Sequence, residues 1–129
     1  MIEKVLADYL ESKGLGTVGS DIFVERLPES PDRAIAVLRY SGRAPVTVLS
    51  GSIVIEQPSI QVLVRSPSFA ESANLIYQIR DLFTSIHNTN LENLYILGVL
   101  ALGSPAVLER DVNNRVIMFC NFDTAYTIS

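Results

Sequence analysis

Between Arg43 and Glu56 the chain carries no charge. Two β-branched runs lie inside that interval, Val46-Thr47-Val48-Leu49 and Ile53-Val54-Ile55, separated by Ser50-Gly51-Ser52 and bounded by Pro45 and Pro58. Branching at Cβ favours extended backbone, and a glycine-containing turn between two such runs signals a hairpin. Residues 41–58 therefore predict an extended hairpin or arm with its turn at Ser50-Gly51. Two readings are open. The hairpin is one more ordinary piece of the monomer's core, or it is an apolar arm outside an already sufficient core that another chain must cover. On the second reading the contact residues are Val46, Val48, Leu49, Ile53, Val54 and Ile55.

Sufficient core material is present without the arm. Of 129 residues, 48% are apolar and 19% charged, a balance that favours one folded domain over residues 1–129. Ile2, Val5, Leu6, Tyr9 and Leu10 fall on one stripe and predict a helix that stops at Lys13, with Gly14 as its cap. Asp21–Leu27 reads as a strand, Pro28 and Pro31 break the chain, and Ala34–Tyr40 reads as a second strand. Pro45 and Pro58 then bookend the arm, and Ile60–Arg65 follows as a further strand. Ser68 and Glu71 match a capping box for a second helix carrying Ala73, Ile76, Ile79, Leu82, Phe83 and Ile86. That helix is expected to run to about His87 and to be ended by Asn88-Thr-Asn90. Leu94–Leu102, nearly all apolar, predicts a central strand covered on both faces. Ala106–Glu109 and Arg115–Tyr126 then pair as a hairpin across Asp111–Asn114. The resulting fold class is α+β: a mostly antiparallel sheet with two helices packed on one face.

Charge and motifs exclude several functions. Ten Lys plus Arg against fourteen Asp plus Glu give a net charge of −4, the wrong sign for gripping phosphates. No apolar run approaches the ~18 residues that cross a bilayer, and Glu3 stands where a signal peptide would be basic. Gly14-Leu-Gly16-Thr-Val-Gly19 spells a dinucleotide fingerprint, but with a helix before it and a strand after, the reverse of what phosphate binding requires. It reads as a cap and a turn. His87 is the only histidine and Cys120 the only cysteine. No triad, disulfide or two-histidine metal site follows from them. His87 is expected at the end of the second helix, and Cys120 as a buried small hydrophobe. Asp111-Val-Asn113-Asn-Arg115 opens like a calcium loop but has Val116 at the sixth place and Phe122 at the twelfth. A turn accounts for it better. Catalysis has no visible seat, and no cofactor or metal is implied.

Three stretches in order carry a resemblance: ADYLESKGLGTVGSDIFVERLPESPDRAIAVL (7–38), PSIQVLVRSPSFAESANLIYQIRDLF (58–83) and ALGSPAVLERDVNNRVIMFCNFDTAY (101–126). Together they resemble the bacteriophage minor capsid protein family, whose members look like tail terminators, small neck proteins of tailed phages. Segment 41–57 does not match that pattern. The resemblance implies a virion structural protein, assembled in the host cytoplasm and acting in the tail and neck, with no enzymatic role. It implies a homo-hexameric ring capping the head-proximal end of the tail tube, with the tube protein and the head–tail connector as partners. Genomic DNA would only pass through the lumen. Six copies at −4 would carry about −24, a charge that lets DNA slide without sticking. The alternatives are a head-completion or connector adaptor and, from a different class, a small-molecule-binding α+β domain using Cys120 or His87.

Overall fold

The computed structural model describes residues 1–49, 51 and 53–128, and the chain runs helix, three strands, helix, four strands. α1 (Ile2–Ser12) buries Ile2, Val5, Leu6 and Leu10. Gly14, at φ +81°, turns the chain so that Leu15 N donates back to Leu10 O at 3.1 Å, the glycine cap that the sequence calls for. β1 is only Ile22–Val24, shorter than the expected Asp21–Leu27. Glu25 adopts φ +76° and ends it, its N–H donating to Val37 O at 3.0 Å.

β2 (Ala34–Thr47) and β3 (Ile53–Ser66) are single strands of fourteen residues, paired antiparallel from Ala34↔Arg65 to Thr47↔Ile53. Pro45 and Pro58 therefore lie inside strands and do not bound them. The strands absorb them in different ways. Pro45 falls within the register shift between Arg43 and Val46, where a missing N–H breaks no ladder bond. Pro58 faces Gly42, and a Cβ on that glycine would stand 3.0 Å from Gln57 O and Pro58 Cα. Glycine is needed there for close approach. On the other side of Pro58 the pairing with the last strand is interrupted, and Thr124 Oγ1 donates to Pro58 O at 2.7 Å. The expected turn at Ser50-Gly51 lies partly outside the described residues, because Ser50 does.

α2 spans Phe69–Thr84. Ser68 Oγ accepts from Glu71 N at 3.3 Å, but the reciprocal half of the capping box is absent. Ser68 N donates instead to Ser66 Oγ (3.3 Å), and the Glu71 carboxylate lies 3.7 Å from Arg33. α2 stops three residues short of His87. The Thr84 and Ser85 hydroxyls donate back to Arg80 O and Leu82 O, and Asn88 takes φ +47°. His87–Leu91 then forms a strand, β4, with no apolar pattern of its own. Pairing with β5 (Leu94–Ala101) holds it extended.

The seven strands form one sheet in the order β1-β2-β3-β7-β5-β4, with β6 (Ala106–Arg110) also on β7 (Val116–Ile128). β7 is the hub. One of its edges pairs with β3; the other pairs with β6 along Val116–Phe119 and with β5 along Phe122–Ile128. β5 is thus one strand in from an edge, and Leu100 is exposed on it. It is not covered on both faces as its composition suggested, because both helices lie on the same face of the sheet. Ile35 and Val37, Ile60 to Val64, Ile96, and Met118 to Phe122 alternate toward α1 and α2 in one continuous core. Every pairing except that of β1 with β2 is antiparallel. The fold is α+β.

Phe83 ties the layers together: its ring packs edge-on to Phe122 at 5.3 Å and lies 6.5 Å from Tyr9. Truncation at this fully buried position removes contacts to both α1 and β7. Phe83→Ala should lower stability by about 3–5 kcal/mol, whereas Phe69→Ala, at an exposed helix position, should stay within about 0.5 kcal/mol. Urea unfolding of the two variants checks the contrast.

Candidate functional site

The residues that sequence reasoning weighed for chemistry stand apart from one another. His87 begins β4, exposed, with Nδ1 3.1 Å from Ser85 O. Cys120 is buried, and burial pushes its thiol above the ordinary range despite the positive field of Arg80. The glycine-rich turn after α1 has its amides occupied by carboxylates: Thr17 N donates to Asp21 Oδ1 (2.6 Å) and Val18 N to Glu11 Oε1 (2.9 Å). Acidic partners on those amides leave no cradle for a phosphate. Asp111 closes its turn by accepting from the amides of Asn113 and Arg115 and from Arg115 Nε. Among the described residues no cluster of His, Cys, Asp and Glu has the arrangement of a metal site.

The arm is different. Core burial on β2 ends at Val37 and on β3 begins at Pro58; the paired residues between them project past the helical layer. Val46, Val48, Ile53 and Val54 are exposed, Leu49 fully so, and Ile55 is half-buried. Pairing brings the six together: Val46 faces Ile55, Thr47 faces Ile53, and Gly51 N donates to Val48 O at 2.8 Å near the tip. The outer edge of β2 beyond Val37 has no partner strand among the described residues, since β1 covers only Ile35–Val37. Register shifts and Pro45 roughen that edge, which keeps a long apolar strand from templating open-ended pairing.

The arm's root is braced on both faces. On the helical face, Arg39 donates to Glu3 Oε1 through Nη2 (2.8 Å) and Nε (3.2 Å). Burial alone would raise the Glu3 carboxyl, but hydrogen bonds with Glu25 and Arg39 outweigh it and hold it below the ordinary glutamate value. Glu25 is pushed up by the same hydrogen bond. On the opposite face Arg43 lies 3.9 Å from Asp123, which also accepts from Ser59 Oγ at 2.7 Å. Gln57 Nε2 donates to Ala44 O at 2.9 Å across the hairpin. Beside the root lies a groove of about 730 Å³ lined by Arg39, Ile53, Val54, Glu56, Tyr126, Thr127 and Ile128. Sequence reasoning missed Glu3, Arg39, Tyr126 and Ile128 here. They are scattered over the whole chain and no local pattern joins them.

A family model described as "Bacteriophage tail terminator protein" matches residues 9–128. Two solved structures share the fold. One, in the virion of a native gene transfer agent particle, has a TM-score of 0.61 at 11% identity, covering 84% of this chain and 80% of that one. The other has a TM-score of 0.57 at 12% identity, covering 99% and 90% respectively. No curated protein sequence matches.

Arg39 tests how the arm is anchored. Arg39→Ala leaves the Glu3 carboxylate buried without its guanidinium, which should destabilise the protein by about 1–3 kcal/mol at neutral pH. The loss has a defined sign with pH. With the cation gone, Glu3 keeps its burial and its hydrogen bond with Glu25 but loses that with Arg39. Its folded pKa therefore rises relative to wild type, and the variant's penalty is present at neutral pH and fades as pH falls through the glutamate range. Urea midpoints of wild type and variant should therefore differ at neutral pH and converge as pH is lowered.

Proposed function

Because the chain belongs to the bacteriophage tail terminator family, we propose that this virion structural protein forms a ring, of six copies, that caps the head-proximal end of the tail tube and joins it to the head connector. Residues 1–129 act as one unit in this reading, with 41–58 as its arm, and the ring assembles in the host cytoplasm. The observation that carries it is the arm: an uncharged apolar hairpin held outside the core, braced at its root and bare toward its tip. Left bare, such a surface invites aggregation; in a ring it is the contact with a neighbouring subunit or with the tube. The gene transfer agent chain that shares the fold is itself part of a virion particle. A net charge of −4 per copy suits a lumen through which DNA slides, since phosphates find no cationic lining to adhere to. The role is one of shape and contact, without a catalytic step.

Val48→Asp combined with Ile53→Asp should leave the monomer folded, with a urea midpoint within about 0.5 kcal/mol of wild type, because both side chains are exposed. Supplied in place of the wild-type chain during infection, the double variant should yield filled heads beside separate, overlong tails in negative-stain images. Normal particles would overturn the reading. Leaking heads beside tails of normal length would move the protein to the connector.

A further inference from the structure

The strip of side chains that forms the core continues past the end of the helical layer. On β3 it runs Val64, Val62, Ile60 and then, by the two-residue period of a strand, to Glu56 and Val54. On β7 the same period leads from Phe122 through Tyr126 to Ile128. α1 gives out above this point: Glu3, in its first turn, takes the guanidinium of Arg39. Beyond that ion pair the strip forms the floor of the 730 Å³ groove. The strands also part company there. Pairing of β3 with β7 ends at Glu56↔Tyr126, while Thr127 and Ile128 follow β5. Ile53–Ile55 consequently have no partner on their β7 side among the described residues.

We propose that this groove seats the arm tip of a second copy of the chain, with Val48 and Leu49 entering between Val54 and Ile128. The inference rests on the reading of the arm as an assembly surface and names what receives it. Two complementarities select the occupant. The first is charge. The tip belongs to a stretch with no charge between Arg43 and Glu56. The groove's cation is already neutralised by Glu3 at 2.8 Å and Glu56 adds a carboxylate to its wall, so the groove repels an anionic ligand and offers an uncharged one the apolar side chains of Val54 and Ile128. The second is number. Each copy carries one tip and one groove, so a closed ring in which every tip enters its neighbour's groove leaves neither a tip nor a groove over. Leu49 is fully exposed in the single chain and gains burial there. Pro45 and the register shifts of β2 spoil the arm's backbone edge, so the contact is made by side chains and does not extend as a sheet.

Cross-linking between copies tests it. Particles are assembled from a mixture of Leu49→Cys and Ile128→Cys chains and treated with a short bis-maleimide, which bridges neighbours without demanding disulfide geometry. Both positions are exposed and Cys120 is buried, so folding is undisturbed and the native thiol stays silent. Covalent dimers containing one chain of each kind are expected from the mixture, and none from either variant alone. Leu49→Cys chains linked to each other would mean tip-to-tip contact and overturn the proposal, as would the absence of mixed dimers. If mixed dimers are absent while Val48→Asp/Ile53→Asp still blocks assembly, only the groove assignment fails. If assembly also survives that double substitution, the arm reading fails with it.

Discussion

One hydrogen-bonded ladder governs this molecule: β2 and β3 pair along their whole length, from Ala34↔Arg65 to Thr47↔Ile53. Half of that ladder lies under the helices and half lies beyond them. A strand pair is stiff along its length, so burying one half positions the other. Ile35, Val37, Ile60, Val62 and Val64 are locked into the core by their fit against α1 and α2, and the arm inherits its direction from them. Apart from a shift between Val46 and Thr47 toward the tip, the local departures from ideal pairing fall where the chain leaves the core. The shift between Arg39 and Ser41, the Gly42–Pro58 approach and the Pro45 irregularity are clustered at or just past the root. Bulges of this kind bend and twist a strand without breaking it.

The two ends of the molecule are finished in different ways. Opposite the arm, two buried guanidiniums close the structure. Arg65 donates to the carbonyl oxygens of Pro28, Pro31 and Asp32, and Arg115 to Glu29 O, Asp32 and Asp111. Burial, with the field of Arg115, pulls Arg65 below the ordinary arginine range, while Asp111 and its acidic neighbours keep Arg115 above it. Arginine suits the task because its planar fork satisfies several carbonyls at once. No buried side-chain nitrogen or oxygen among the described residues lacks a partner. The arm end, in contrast, leaves apolar surface exposed and an ion-paired groove beside it. A molecule with one closed end and one open end has a built-in polarity, which the proposed ring between two different structures would require.

The helices and the last hairpin were legible because local chemistry and tertiary context agree there. The stripe Ile2, Val5, Leu6, Leu10 with Gly14 behind it, and the Asp111–Asn114 turn, are stabilised by contacts only a few residues apart. β4 was illegible for the opposite reason. His87-Asn-Thr-Asn has the composition of a helix terminator, and only the backbone of β5 alongside makes it a strand. Leu94–Ala101 misled in a third way. An apolar run reports that its residues are lipophilic but not how many faces are covered, and here both helices lie on one face, so Leu100 is left in water.

Sequence by itself determined the α+β class, the two helices, the ordered set of family stretches and the uncharged β-branched segment that becomes the arm. These are properties of period, propensity and turn chemistry, which act over a few residues. Tertiary structure alone decided that the arm is a continuation of two core strands, that Pro45 and Pro58 sit inside them, and that Glu3 meets Arg39 at their root. It alone decided that Val54, Tyr126 and Ile128 share a groove. Pairing register and layer placement bring together residues far apart in the chain, and no local pattern records which of them will meet.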